Sequence, residues 1–136
     1  MLIGRGTSPG KVILFGEHAV VYGRPALAVP VSHVCAEATV EPAPANSGLQ
    51  IAAVDLHRRF ALGAAADDDP LAAGIRLALK RLGFDREPDW QVTIRSSIPI
   101  ASGLGSGAAV SAAVVRGLAA AAGHQIAPAE ISELVY

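Results

Sequence analysis

Cysteine is almost absent from this sequence. Cys35 is the single cysteine among 136 residues, which excludes an internal disulfide framework and a cysteine-built zinc site and fits a reducing compartment. Clustered charge is missing too. The chain has 11 Lys and Arg, 12 Asp and Glu and a formal net charge of -1, with no extended run of either sign. That balance argues against nucleic acid or an anionic membrane as partner, because neutralising phosphates needs grouped cations. The third absence is a long hydrophobic run, although 51% of the residues are hydrophobic. Val12 to Phe15 is stopped by Gly16-Glu17-His18, and the Ala/Val stretch after Gly107 is broken by Ser111 and Arg116, short of the roughly 18 apolar residues of a membrane span. Neither a signal peptide nor a membrane helix is expected. The expectation is one soluble, cytoplasmic domain with a small-molecule partner.

What is present reads as strands first and helices later. Ser8-Pro9-Gly10 predicts a turn, followed by a short buried strand over Lys11 to Phe15. Val34, Ala36, Ala38 and Val40 alternate with Cys35, Glu37, Thr39 and Glu41, the pattern of a strand with one wet face. The Pro- and Gly-containing stretch from Pro42 to Gly48 predicts a loop, and Leu49 to Leu56 a further strand. Asp69 followed by Pro70 is a helix start, with Leu71, Ile75, Ala78, Leu79 and Leu82 at helical spacing and Gly83 as the stop. Trp90 to Ile94 alternates as a strand. A glycine-rich stretch, Pro99 to Gly107, then leads into a predicted helix over Ala108 to Ala122 that Gly123 ends. Pro128 opens another helix with Ile131, Leu134 and Val135 on one face. It reaches Tyr136 without a cap, so the sequence reads as cut.

Gly103-Leu104-Gly105-Ser106-Gly107 lies where a loop enters a helix. The first amides of a helix lack internal partners and carry its positive dipole end, and glycines let backbone N–H groups close around phosphate oxygens. The other reading of the same residues is a tight turn with Ser106 as an ordinary cap. A Walker A loop is excluded, since Gly107 precedes Ala108-Ala109 rather than Lys-Ser/Thr. A dinucleotide fingerprint fits only loosely, because Pro99 to Ser102 separates the glycines from the strand. Lys11, Glu17 and His18 flank a strand end. A cation there suits phosphate oxygens while the carboxylate and imidazole suit a hydroxylated acceptor, the division of labour of phosphoryl transfer. Spacing alone favours the other reading, an exposed Lys and Glu with a capping His.

Two segments taken together carry a resemblance. The run from Ser8 to Gly23, with Lys11 and Phe15-Gly16-Glu17-His18-Ala19-Val20, resembles the first motif of mevalonate kinases. Pro99 to Ala109 resembles the second motif of their superfamily, the GHMP kinases. Galactokinase-like members usually carry Arg at the lysine position and Thr-Asp after Glu-His. The resemblance spans the chain as the N-terminal portion of a longer protein. It implies an α+β fold, the N-terminal domain of a GHMP kinase, with a largely antiparallel sheet and helices on one face. It also implies ATP-dependent phosphorylation of mevalonate to 5-phosphomevalonate in isoprenoid biosynthesis, with ATP and Mg2+ as cofactors and a homodimer as the full-length form. Pro99, Ala101, Ser102, Gly103, Leu104, Gly105, Ser106, Gly107 and Ala108 would then hold the nucleotide, with Lys11 catalytic and Glu17 and His18 facing mevalonate.

The family usually has two adjacent serines in this loop, one hydroxyl helping to hold Mg2+. Here Gly107 follows Ser106, which leaves metal ligation by Ser106 open. The resemblance further places a glutamate for Mg2+, a catalytic aspartate and a third glycine-rich motif beyond Tyr136. Phosphomevalonate kinase, another GHMP small-molecule kinase, and a non-catalytic nucleotide-binding module are the alternatives.

Overall fold

The computed structural model describes residues 2–15, 27–98 and 106–124, with backbone alone at 11–15, 27–32 and 106. Strands β1 (Gly4–Phe15), β2 (Leu27–Pro42), β3 (Gln50–Ala53) and β4 (Arg58–Ala61) precede helix α1 (Pro70–Arg81), strand β5 (Trp90–Ser96) and helix α2 (Ser106–Ala121). They form one sheet in the order β1-β2-β5-β3-β4. β1/β2, β2/β5 and β3/β4 are antiparallel, and β3/β5 is parallel. The parallel pair is the one whose connection passes through α1, as a parallel pair requires a crossover. The fold is α+β, with a mixed, mostly antiparallel sheet.

The alternation read in β2 sets the two faces of the sheet. Ala36, Ala38 and Val40 are fully buried, whereas Cys35 is exposed. On the buried side they join Ile51, Val92 and Ile94, and both helices add to the same cluster through Ile75, Leu79, Val114 and Leu118. Small residues let α2 lie directly on β1. A methyl group on Gly6 would stand 2.1 Å from the carbonyl oxygen of Ala113 and 2.3 Å from the amide nitrogen of Gly117.

Three expectations change. Ser8-Pro9-Gly10 makes no turn: β1 runs through it, and the register on β2 jumps from Pro9↔Cys35 to Gly10↔Val31. β1 is the edge of the sheet, so the missing N–H of Pro9 is tolerated and the irregularity is taken up by the longer partner strand. The strand expected over Leu49 to Leu56 ends at Ala53, because Val54–Leu56 winds into a 3-10 turn closed by His57 at φ +51. β4 then returns along β3, a hairpin that the pattern did not suggest. α2 begins at Ser106, so Ser106 and Gly107 belong to its first turn rather than to the loop expected there.

The helix ends follow the sequence. The Asp69 side chain accepts hydrogen bonds from the amides of Leu71 (3.1 Å) and Ala72 (3.3 Å), and Gly83 closes α1 at φ +89. Gly123, at φ +76, follows α2. In the Pro42 to Gly48 loop, the Asp89 carboxylate accepts from the amides of Gly48 (2.8 Å) and Asn46 (3.0 Å). Those two bonds, the Gly48 one foremost, hold its carboxyl below the usual aspartate range. Among the described residues no helix is long and apolar enough to cross a membrane. The helix expected from Pro128 lies outside the described residues.

Candidate functional site

The residues on either side of the glycine-rich segment are anchored. β5 ends where the Ser96 amide donates to Asp55 Oδ2 at 2.6 Å. Next to it, Ser97 Oγ accepts from the Cys35 amide at 3.0 Å. The strand end is thus tied to the 3-10 turn on one side and to β2 on the other, and Ile98 after it is buried. At the far end of the segment, α2 is seated on β1 by the close approach at Gly6 and Gly117. The start of α2 is therefore placed by the core.

A cavity of about 350 Å3 opens at that helix start. Its apolar wall is Leu56, Pro70, Leu71, Ile98 and Val110, and Gly107 lies in its lining. Asp55, Arg58, Asp69, Ser96 and Ser111 supply the polar groups. Among the described residues, a methyl group on Gly107 would meet nothing within 4 Å.

Both helices direct their amino ends here, and they differ electrostatically. The leading amides of α1 are taken by Asp69, whose charge offsets the dipole of that helix. α2 has no acidic residue in its first turn. No charge in that turn offsets the helix's own dipole, whose positive end suits an anion. Asp69 also pairs with Arg58, and the Arg58 guanidinium lies 4.3 Å from the centre of the Phe60 ring. The hydrogen bond from Arg58, helped by the amides of Ala72 and Leu71, holds the Asp69 carboxyl below its usual range against the opposing effect of desolvation.

Of the residues singled out in the sequence, Gly107 and Ala108 fall in the first turn of α2, and Gly107 lines the cavity. Ser106 is the first residue of α2, and Lys11 lies on β1 with its backbone opposite Pro30. Glu17, His18, Pro99, Ala101, Ser102, Gly103, Leu104 and Gly105 lie outside the described residues. The apolar wall and the Arg58–Asp69 pair were not foreseen. Leu56, Leu71, Ile98 and Val110 come from four separate elements, and only the Asp69-Pro70 helix start left a local signal. Among the described residues no three His, Cys, Asp or Glu side chains come together to hold a metal ion, so no metal ligand is assigned to them.

Residues 70–136, from α1 through β5 and α2 onward, match the GHMP kinases N terminal domain. The chain belongs to the GHMP kinases. Its likeness to individual members extends back over the first strands. It is 40% identical over 113 residues to the mevalonate kinase of Archaeoglobus fulgidus, covering 82% of this chain and 36% of that one. The crystal structure of the Methanococcus jannaschii mevalonate kinase superposes with a TM-score of 0.81 at 25% identity, over 97% of this chain and 44% of that one. L. major mevalonate kinase in complex with R-mevalonate gives a TM-score of 0.74 at 28% identity, over 98% and 40%. This GHMP kinase chain spans about two fifths of the length of the curated relatives it matches.

Proposed function

We propose that the chain is the ATP-binding N-terminal portion of a mevalonate kinase, which transfers the terminal phosphoryl group of ATP to mevalonate. One observation carries this reading: the amino end of α2, without an acidic neighbour in its first turn, opens on an apolar-walled cavity directly after the glycine-rich stretch Pro99 to Gly107. The wall suits a base and sugar, and the helix start suits phosphate oxygens. The motif around Lys11, Glu17 and His18 and the names of the relatives support mevalonate as acceptor.

In this reading the backbone of Pro99 to Ala108 holds the phosphates and Lys11 offsets charge that develops on the transferring group. Glu17 and His18 orient the acceptor hydroxyl. Mg2+ bound with the nucleotide would neutralise phosphate charge. The curated relatives are about two and a half times as long as this chain, and in this reading the acidic groups for the metal and for the acceptor proton belong to the portion of the enzyme outside these residues. The chain by itself therefore binds ATP without phosphorylating mevalonate.

Calorimetric titration with ATP tests the nucleotide half of the proposal. Saturable binding that is lost in a folded Gly105→Val variant supports it. Undiminished binding in that variant places the phosphates elsewhere.

A further inference from the structure

Among the described residues, β4 is the last strand of the sheet and pairs with β3 alone. It nevertheless forms part of the cavity wall through Arg58, opposite the start of α1. The Asp69 carboxylate divides its two oxygens between these elements. Oδ1 caps the amides of Leu71 and Ala72, and Oδ2 accepts from the Arg58 guanidinium. Arg58 is committed twice over, to this carboxylate and to the face of Phe60.

We propose that Arg58 is a positioning residue for the nucleotide: by pairing with Asp69 it fixes β4 against the start of α1 and so sets the width of the cavity. The inference rests on the reading of the cavity as a nucleotide site. Its charge is directed at Asp69, so its effect reaches a ligand through that residue. The asymmetry of the pair favours a measurable effect, since the Asp69 side chain is 8% exposed and that of Arg58 43%. A largely buried carboxylate that loses its partner moves or rehydrates, whereas a fully exposed pair would hardly register.

A second arginine provides the contrast. Arg76 of α1 donates to the carbonyls of Leu62 (2.8 Å) and Ala65 (3.1 Å). It ties α1 to the chain after β4 in the same manner, but away from this cavity.

The test is calorimetric titration of the chain with ATP, with a thermal melt of each variant. Asn caps a helix nearly as well as Asp, so Asp69→Asn removes the charge partner and keeps the cap. Arg58→Met and Asp69→Asn should each weaken ATP binding about fivefold, and the double variant no more than either one. Arg58→Lys should recover part of the loss. Arg76→Met should lower the melting temperature and leave the ATP affinity of the folded chain unchanged.

Unchanged affinity in Arg58→Met, with wild type binding normally, overturns the inference and leaves the nucleotide site standing. A double variant whose loss is the product of the two single losses also overturns it, because Arg58 would then act independently of Asp69. An equal loss in Arg76→Met reduces the effect to general stability and overturns it too. Absence of saturable binding in the wild type overturns the nucleotide reading itself, and this inference with it.

Discussion

Gly6 of β1 and Gly117 of α2 meet backbone to backbone: a methyl group on Gly6 would fall 2.3 Å from the Gly117 amide nitrogen. The neighbouring atoms are helix backbone, which cannot move aside as a flexible side chain can. Gly6→Ala should therefore push α2 off the sheet and destabilise the chain by about 3 kcal/mol or more, the upper range for overpacking. Urea denaturation measures this. Because the same contact places the start of α2, a variant that stays folded should also bind ATP more weakly.

Acid should destabilise the fold through two carboxylates. Asp69 and Asp89 both have native pKa values below the ordinary one, the first through Arg58 and the second through the amide of Gly48. A depressed native value means that the unfolded chain binds the proton first. The stabilisation is then complete above about pH 4 and is lost as pH falls through the lowered native values. Chemical denaturation between pH 3 and pH 6 should show this fall, flattened in the Asp69→Asn and Asp89→Asn variants.

Removing the cap of α1 is a separate matter from removing its charge. Asp69→Ala should cost about 0.5–2 kcal/mol, the range for losing an N-cap, and Asp69→Asn less. Equal losses in the two variants would mean that the ion pair rather than the cap holds the helix start.

Lys11 and the Glu17–His18 pair are separable by kinetics in the full-length protein. Lys11→Met should lower kcat by about 10²- to 10³-fold, the scale of removing one preorganised charge donor, and change ATP affinity much less. Glu17→Gln or His18→Ala should raise KM for mevalonate more than KM for ATP. Near-normal turnover in Lys11→Met returns it to an ordinary strand residue, and equal KM effects return the pair to a structural role.

The parts of this fold that were legible in the sequence are those whose signals are local. Asp69-Pro70 and Gly83 bracket α1 because capping and left-handed closure are decided within a turn. The alternation through Ala36, Ala38 and Val40 marks the buried face because the strand period is fixed by the backbone. Ser8-Pro9-Gly10 misleads for a tertiary reason: on an edge strand, a proline lacking its N–H and a shift of register can be absorbed without a turn. β4 is four residues long and partly exposed, so it leaves no periodic trace. The phosphate-loop candidate could be read from its glycines, but the cavity beside it could not. Its wall joins Leu56, Leu71, Ile98 and Val110, residues that only the crossover through α1 brings together.

Mevalonate phosphorylation is tested most directly by a coupled ADP-release assay on the full-length protein with mevalonate, phosphomevalonate, homoserine and galactose as acceptors, alongside the 136-residue chain alone. ADP release by the full-length protein with mevalonate should stand well above that with the other three acceptors, and the isolated chain should give none above background. Preference for another acceptor, or sustained mevalonate-dependent release by the chain alone, would contradict the proposed function.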